Sequence, residues 1–328
     1  MNVMTAGSYK DEDAVILEND ELRVTVVPKR GAKTASIFYK PGSREILWQL
    51  EGNRYKKGGY GDNYVDAECS GFDDMFPSIN RCFYGRFPWA GTEIPDHGEV
   101  WGIPWSFDSE DGKLSLRVYG VRLPYLLEKT VYLDGSRLKM EYRASNLSAF
   151  DMDFLWAAHP LFQGSPGMEL IVPDSMKKIV NAFDSPALPG YGKTYDFPRA
   201  RIDGGGDLDL SSMPESGVNV QVKYFFQGKV TKGWCILHDK INGLNIGLSY
   251  PPEKVPYLGV WMHAGGLLEG HYNFAPEPAT AAMDGIDGAA AWGVNSVLPP
   301  HGRCEWSFTI GITKDKKARE VGEDGLPR

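Results

Sequence analysis

Apolar and polar side chains alternate with a period of two along much of the chain. In Leu22-Arg23-Val24-Thr25-Val26-Val27, in Lys113–Tyr119 and in residues 137–142, apolar residues recur at every second position. That spacing puts one apolar face against a core and one polar face outward, so it predicts half-buried strands. Further runs rich in β-branched and aromatic residues cover 218–226, 234–238, 244–250, 258–263 and 305–312, and no long segment keeps a helical period. Between two strands sits Leu133-Asp134-Gly135-Ser136, whose Asp-Gly pair suits the positive φ angles of a tight hairpin; strands at 124–133 and 137–145 are expected to pair. Two long Gly- and Pro-bearing stretches, 51–112 and 164–216, read as loops, and irregular segments of that length in a compact domain are usually functional. The pattern predicts an all-β fold with long loops and minor helix. No repeat or composition break divides it, so one domain spanning 1–328 is expected, with its core at about 14–312 and a loose charged tail at 313–328.

Composition agrees with that reading and narrows it. The 38 Gly and 22 Pro are scattered between apolar runs, as hairpin punctuation requires. A net charge of -8 argues against a nucleic-acid partner, which needs clustered Lys and Arg to neutralise phosphates. Residues 1–13 lack the apolar run of a signal peptide, and no stretch approaches the ~18 apolar residues of a membrane span. A cytoplasmic protein with no membrane partner, monomeric or weakly dimeric, is the expectation. Cys69, Cys82, Cys235 and Cys304 show no Cys-x-x-Cys spacing and read as reduced thiols.

Candidate chemistry concentrates in a few places. Ser70-Gly71-Phe72-Asp73-Asp74-Met75-Phe76-Pro77-Ser78-Ile79-Asn80-Arg81 and Ile94-Pro95-Asp96-His97-Gly98-Glu99-Val100-Trp101 gather acids, an arginine, a histidine and aromatic rings. Flat rings with a polar rim suit a sugar, whose C–H faces are apolar and whose hydroxyls demand hydrogen-bond partners; the same rings would equally serve to cover a sheet face. His159 ends the apolar run Phe154-Leu155-Trp156-Ala157-Ala158 just before Pro160. A lone histidine is more often structural than catalytic, although its ordinary pKa near 6.5 equips it for proton transfer. Glu277 stands between Pro276 and Pro278, which fix the backbone and would aim the carboxylate; a surface carboxylate at a strand end is the plainer reading. Trp261 and His263 share a strand face by alternation. The His263 to His271 spacing matches no zinc signature, Gly204-Gly205-Gly206 lacks a phosphate-loop ending, and no Gly-x-Ser-x-Gly elbow occurs.

Taken together, His97-Gly98 after an aromatic loop, Trp156-Ala157-Ala158-His159-Pro160-Leu161-Phe162 and Glu277-Pro278, in that order, resemble the aldose 1-epimerase family and its hexose-6-phosphate mutarotase relatives. Gly31-Ala32-Lys33-Thr34-Ala35-Ser36-Ile37 with Arg44-Glu45-Ile46-Leu47-Trp48, and Leu298-Pro299-Pro300-His301-Gly302 with Trp306, extend the likeness to roughly 14–312. The resemblance implies a single-domain β-supersandwich of the galactose mutarotase-like kind and an enzyme that interconverts sugar anomers without cofactor or metal. His159 would be the acid and Glu277 the base. Substrate contacts are expected from His97, Arg81, Asp74, Asp96, Trp101, Trp261 and His263, with Asp73 a further candidate for the family's sugar-binding Asp. Glu99-Val100-Trp101 follows neither the second Gly of the galactose enzymes nor the Phe-Ala-Arg of the hexose-phosphate enzymes. Without that arginine motif, and at net charge -8, a neutral monosaccharide is favoured over a sugar phosphate. A carbohydrate-binding protein without catalysis, and an epimerase for a sugar phosphate or unusual sugar, remain the alternatives.

Overall fold

The structure is a computed structural model that describes residues 2–202 and 204–328. Among the described residues it is built from two large antiparallel sheets and three two-stranded ribbons. The larger sheet runs in space as Val3–Tyr9, Glu12–Glu18, Leu22–Val27, Lys33–Tyr39, Phe72–Met75, Ala157–Pro160, Tyr272–Ala279, Tyr257–Ala264, Gln221–Phe226, Lys178–Asn181 and Thr194–Asp196. The smaller runs as Glu169–Ile171, Trp234–Asp239, Leu244–Ser249, Arg303–Lys314, Arg137–Asn146, Tyr125–Asp134, Lys113–Tyr119 and Ser106–Glu110. Among the described residues helix is limited to the single turn Tyr64–Asp66 and the six-residue Ile286–Ala291. Among the described residues no helix is long and apolar enough to cross a membrane.

The alternation read from the sequence is the reason the sheets stack. Leu114, Leu116 and Val118 are buried while their strand neighbours are exposed, and they join Val24, Phe72, Ala158, Val222, Met262 and Phe274 of the other sheet in one apolar cluster. Phe72 meets Phe308 edge-on across the interface, ring centres 5.8 Å apart. The hairpin pairs Tyr125 with Asn146 through Asp134 with Arg137, and Gly135 takes φ 58 in its turn.

Two expectations need correction. The stretches 51–112 and 164–216 are not continuous loops. The first carries Phe72–Met75, Cys82–Phe83, Glu93–Ile94 and Ser106–Glu110, and the second Glu169–Ile171, Lys178–Asn181, Thr194–Asp196, Arg199–Arg201 and Asp207–Asp209. These strands are two to five residues long, too short to show a period; Phe72–Met75 and Glu169–Ile171 owe their pairing to strands distant in sequence, while others close short local ribbons. Nor is the charged tail loose. Asn245 Oδ1 accepts from the Ala318 amide at 3.0 Å, Asn245 Nδ2 donates to the Lys316 carbonyl at 3.0 Å, and Val321 pairs with Pro327 beside Gly247. Buried Asn245 docks it together with a few apolar tail residues, Ala318 and Pro327 among them.

Candidate active site

Sheet register builds the site. Ala157 pairs with Ala279 and Phe162 with Phe274 in the same antiparallel register, so His159 lies across from Glu277. His159 pairs on its other side with Asp73, Glu277 with Gly259, and Gly259 with Phe225. A row Asp73, His159, Glu277, Gly259, Phe225 therefore crosses the outer face of the larger sheet, while Phe72, Ala158, Phe274, Val260 and Tyr224 point into the core. Loops close over that row. Tyr64, Asn80, His97, Phe183, Leu267 and Asp284 join His159, Lys223, Trp261, His271 and Asn273 around a cavity of about 150 Å³.

His159 Nε2 stands 3.7 Å from Glu277 Oε1, and both side chains are almost wholly buried. The other oxygen of Glu277 accepts from Lys223 Nζ, which also lies 3.4 Å from Asp284 Oδ1. Burial pushes Glu277 up, Lys223 pulls it back and Asp284 pushes it up again, leaving it raised to about 7. Burial likewise raises Asp284 against the pull of Lys223. Burial alone would lower the Lys223 ammonium, but Asp284 and Glu277 more than offset it and raise it. Burial, reinforced by His97, Lys223 and Lys33, holds His159 well below the ordinary histidine range, which favours the neutral ring. Glu277 Oε1, His159 Nδ1 and Asn273 Oδ1 are buried without a hydrogen-bond partner, an arrangement costing about 1–3 kcal/mol per atom.

His97 is held from beneath. Its Nδ1 lies 2.9 Å from Asp96 Oδ1, Asp96 Oδ2 accepts from the Tyr64 amide at 2.8 Å, and the Tyr64 ring stacks on His97 at 4.2 Å. Burial pushes Asp96 up, but the hydrogen bond and charge of His97 bring it below the usual carboxylate range. Tyr64 also meets His159 edge-on at 5.4 Å and donates to Asp73 Oδ2 at 2.8 Å. His97 and Gly98 both take positive φ, 58 and 80, and a Cβ on Gly98 would stand 2.4 Å from the Phe76 carbonyl oxygen; only glycine fits that turn.

Of the residues singled out from sequence, His97, His159, Glu277 and Trp261 converge here. Asp96 and Trp101 brace the site: Trp101 Nε1 donates to the Asp96 carbonyl at 2.9 Å and its ring abuts Tyr64 at 5.2 Å. His263 lies beneath the cavity's loop, its Nδ1 3.0 Å from the His271 carbonyl oxygen and its Nε2 accepting from the Leu268 amide at 3.1 Å. Two expectations fail on geometry. Asp74 faces the core, paired with Lys129 at 2.8 Å and accepting from Trp156 Nε1 at 3.0 Å, because alternation sends it opposite to Asp73. Arg81 is at the surface, 3.6 Å from Glu93, lining an outer groove with Tyr60 and Arg122. Lys223, Asp284, Tyr64 and Asn273 were not anticipated. A lysine at the centre of the apolar run 221–226 was the one available signal. Among the described residues no group of three or more His, Cys, Asp or Glu is arranged to hold a metal ion.

This architecture is the galactose mutarotase-like fold, an all-β supersandwich. No protein-family model matches the sequence, and neither does any curated protein. Among solved structures, the Slr1438 protein of Synechocystis sp. PCC 6803 is similar with TM-score 0.69 and 17% identity over 94% of this chain and 99% of that one. An Escherichia coli K12 protein assigned provisionally as an aldose 1-epimerase gives 0.66 and 18% over 96% and 100%. A galactose mutarotase-like protein of Lactobacillus casei ATCC 334 gives 0.66 and 17% over 92% and 100%. The TM-scores establish the fold, and at identities this low the likeness is one of fold alone.

Proposed function

We propose that this chain acts as one cytoplasmic domain that interconverts the α and β anomers of a free monosaccharide, with His159 and Glu277 as its acid-base pair. The observation that carries the reading is the unpaired, buried Glu277 Oε1 facing at 3.7 Å the Nε2 of His159, a residue that lines the cavity with Lys223, Trp261 and Phe183. Opening a hemiacetal ring needs one proton removed and one delivered, each worth roughly 10²- to 10⁴-fold when well placed. Glu277 takes the proton of the C1 hydroxyl, the O1 electron pair forms the carbonyl, and the C1–O5 bond pair leaves to O5, which takes the proton from His159 Nε2. Rotation about C1–C2 and the reverse steps close the ring on its other face.

The reaction starts from charged His159 with ionised Glu277 and ends with neutral His159 and protonated Glu277, so the working pair holds one proton throughout. Because burial depresses His159 and raises Glu277 to about 7, the free protein carries that proton mainly on Glu277 and loses it above about pH 7. A neutral sugar is favoured because Arg81 lies outside the cavity and Lys223 is already paired with two carboxylates.

Proton NMR or polarimetry on freshly dissolved α-sugars tests the activity; if no sugar or sugar phosphate equilibrates faster with protein, the reading fails. Glu277→Gln and His159→Ala should each lower kcat at least 10²-fold while the fold persists, and a rate like the parent's in either removes that residue from the mechanism. A second reading, sugar binding without catalysis, rests on the ion pair that occupies one oxygen of Glu277. Tight binding by calorimetry with no acceleration would favour it.

A further inference from the structure

Lys223 is buried at the cavity floor with a carboxylate on either side, and neither the sequence reading nor the acid-base scheme gives it a task. A buried ion pair is seldom retained for stability, since a well-packed hydrophobe is often as good or better. Apolar company is at hand, with the Phe225 ring 5.8 Å from the ammonium and Trp261 paired across the strand. What the ammonium does is geometric. It binds Glu277 Oε2 and lies 3.4 Å from Asp284, so only Oε1 of Glu277 is left free, and that oxygen is the one facing His159. Gly259, between Glu277 and Phe225 in the row, leaves this part of the sheet face clear of a side chain, and a Cβ there would already stand 3.0 Å from Phe225.

We propose that Lys223 is the positioning residue of the site, fixing which oxygen of Glu277 works and setting, against Asp284, the charge the Glu277–His159 pair carries. This rests on the acid-base reading above. The groups acting on Glu277 come from every side. Lys223 and Asp284 contact or face it directly, His159 lies across from it, His97 and Lys33 act on His159, and Asp73 lies beyond His159. Lys223 favours ionised Glu277, which is the form that starts ring opening, and Asp284 opposes it.

The two neighbours therefore predict shifts of opposite sign. An opposite charge in contact moves a carboxyl by roughly 1–3 pH units. In Lys223→Met the Glu277 midpoint and the alkaline limb of kcat/KM should rise by about one unit or more, with kcat falling roughly tenfold or more and KM moving within about threefold. In Asp284→Asn both should fall, and Lys223→Arg should restore the parent profile and most of kcat. The Glu277 midpoint is read directly, without substrate, by carbon NMR titration of protein labelled at its glutamate carboxyls, with Glu277→Gln assigning the signal. A midpoint that stays put in Lys223→Met, or moves the same way in Asp284→Asn, overturns the proposal even if the protein is a mutarotase. Opposite shifts without any anomerisation leave the assignment of Lys223 to Glu277 standing and overturn the proposed function. If Lys223→Met fails to fold, Lys223→Gln carries the same expected rise, and Asp284→Asn still tests the opposite one.

Discussion

Asp74 has no exposed side-chain surface and is held by Lys129 and Trp156 in the core between the sheets. Removing one member of a buried pair leaves the other charge uncompensated, which costs about 3–5 kcal/mol. Asp74→Ala should therefore lower the guanidinium midpoint sharply, and any surviving folded fraction should keep the parent kcat, because the residue points away from the cavity. Its neighbour Asp73 takes the opposite face, opposite His159 and bound to Lys33 and Tyr64. That contrast bounds what single residues disclose. His97, His159 and Glu277 stand out in the sequence because each sits in a short motif that breaks the local pattern. Asp73 and Asp74 could not be told apart before the strand's phase was known, and Arg81 was misjudged because motif proximity says nothing about side-chain direction. Lys223 was legible only as an anomaly: a charge in an apolar strand makes sense once its two buried carboxylates, 54 and 61 residues away in the chain, are brought to it.

Long alternating strands disclosed themselves, and short ones did not. The Tyr125–Asp134 and Arg137–Asn146 hairpin is local in sequence and carries its own turn chemistry, so pattern alone was enough. Phe72–Met75 is four buried residues, two of them acidic, and no periodicity rule finds a strand whose charges are neutralised by lysines from elsewhere. The turn at His97-Gly98 belongs to the same class, its shape set by the Phe76 carbonyl against Gly98. Gly98→Ala puts a methyl group 2.4 Å from that oxygen at φ 80, a conformation costing roughly 1–2 kcal/mol per non-glycine residue before any clash. The loop should shift and carry His97 off Tyr64 and Asp96. The expected outcome is a fall of about 2–4 kcal/mol in unfolding free energy and a disproportionate fall in anomerisation rate, measured on the same samples at a temperature where the variant remains folded.

At the scale of the molecule, the larger sheet supports both the fold and the candidate site, so the same buried carboxylate enters stability and the proposed chemistry. Glu277 has its ordinary value near 4.5 in the unfolded chain and is raised to about 7 in the folded one. Between those values the unfolded chain releases the proton while the folded protein keeps it, so unfolding free energy falls as pH rises from about 4.5 to 7 and stays lower above. Buried histidines act the other way in an overlapping range: His271, lowered by burial to about 4, costs stability as pH falls from 6.5 towards 4, because the unfolded chain binds a proton that the folded one refuses. The parent curve mixes both effects, and a variant neutral at every pH separates them. Glu277→Gln should match the parent in stability at pH 5 and exceed it at pH 8 by about 1–3 kcal/mol, read from denaturant midpoints at the two values. His271→Asn should differ from the parent most below pH 6. If Glu277→Gln is equally or less stable at pH 8, the ion pair with Lys223 outweighs the desolvation of Glu277, and the carboxylate was selected for the fold rather than held there at a cost to it.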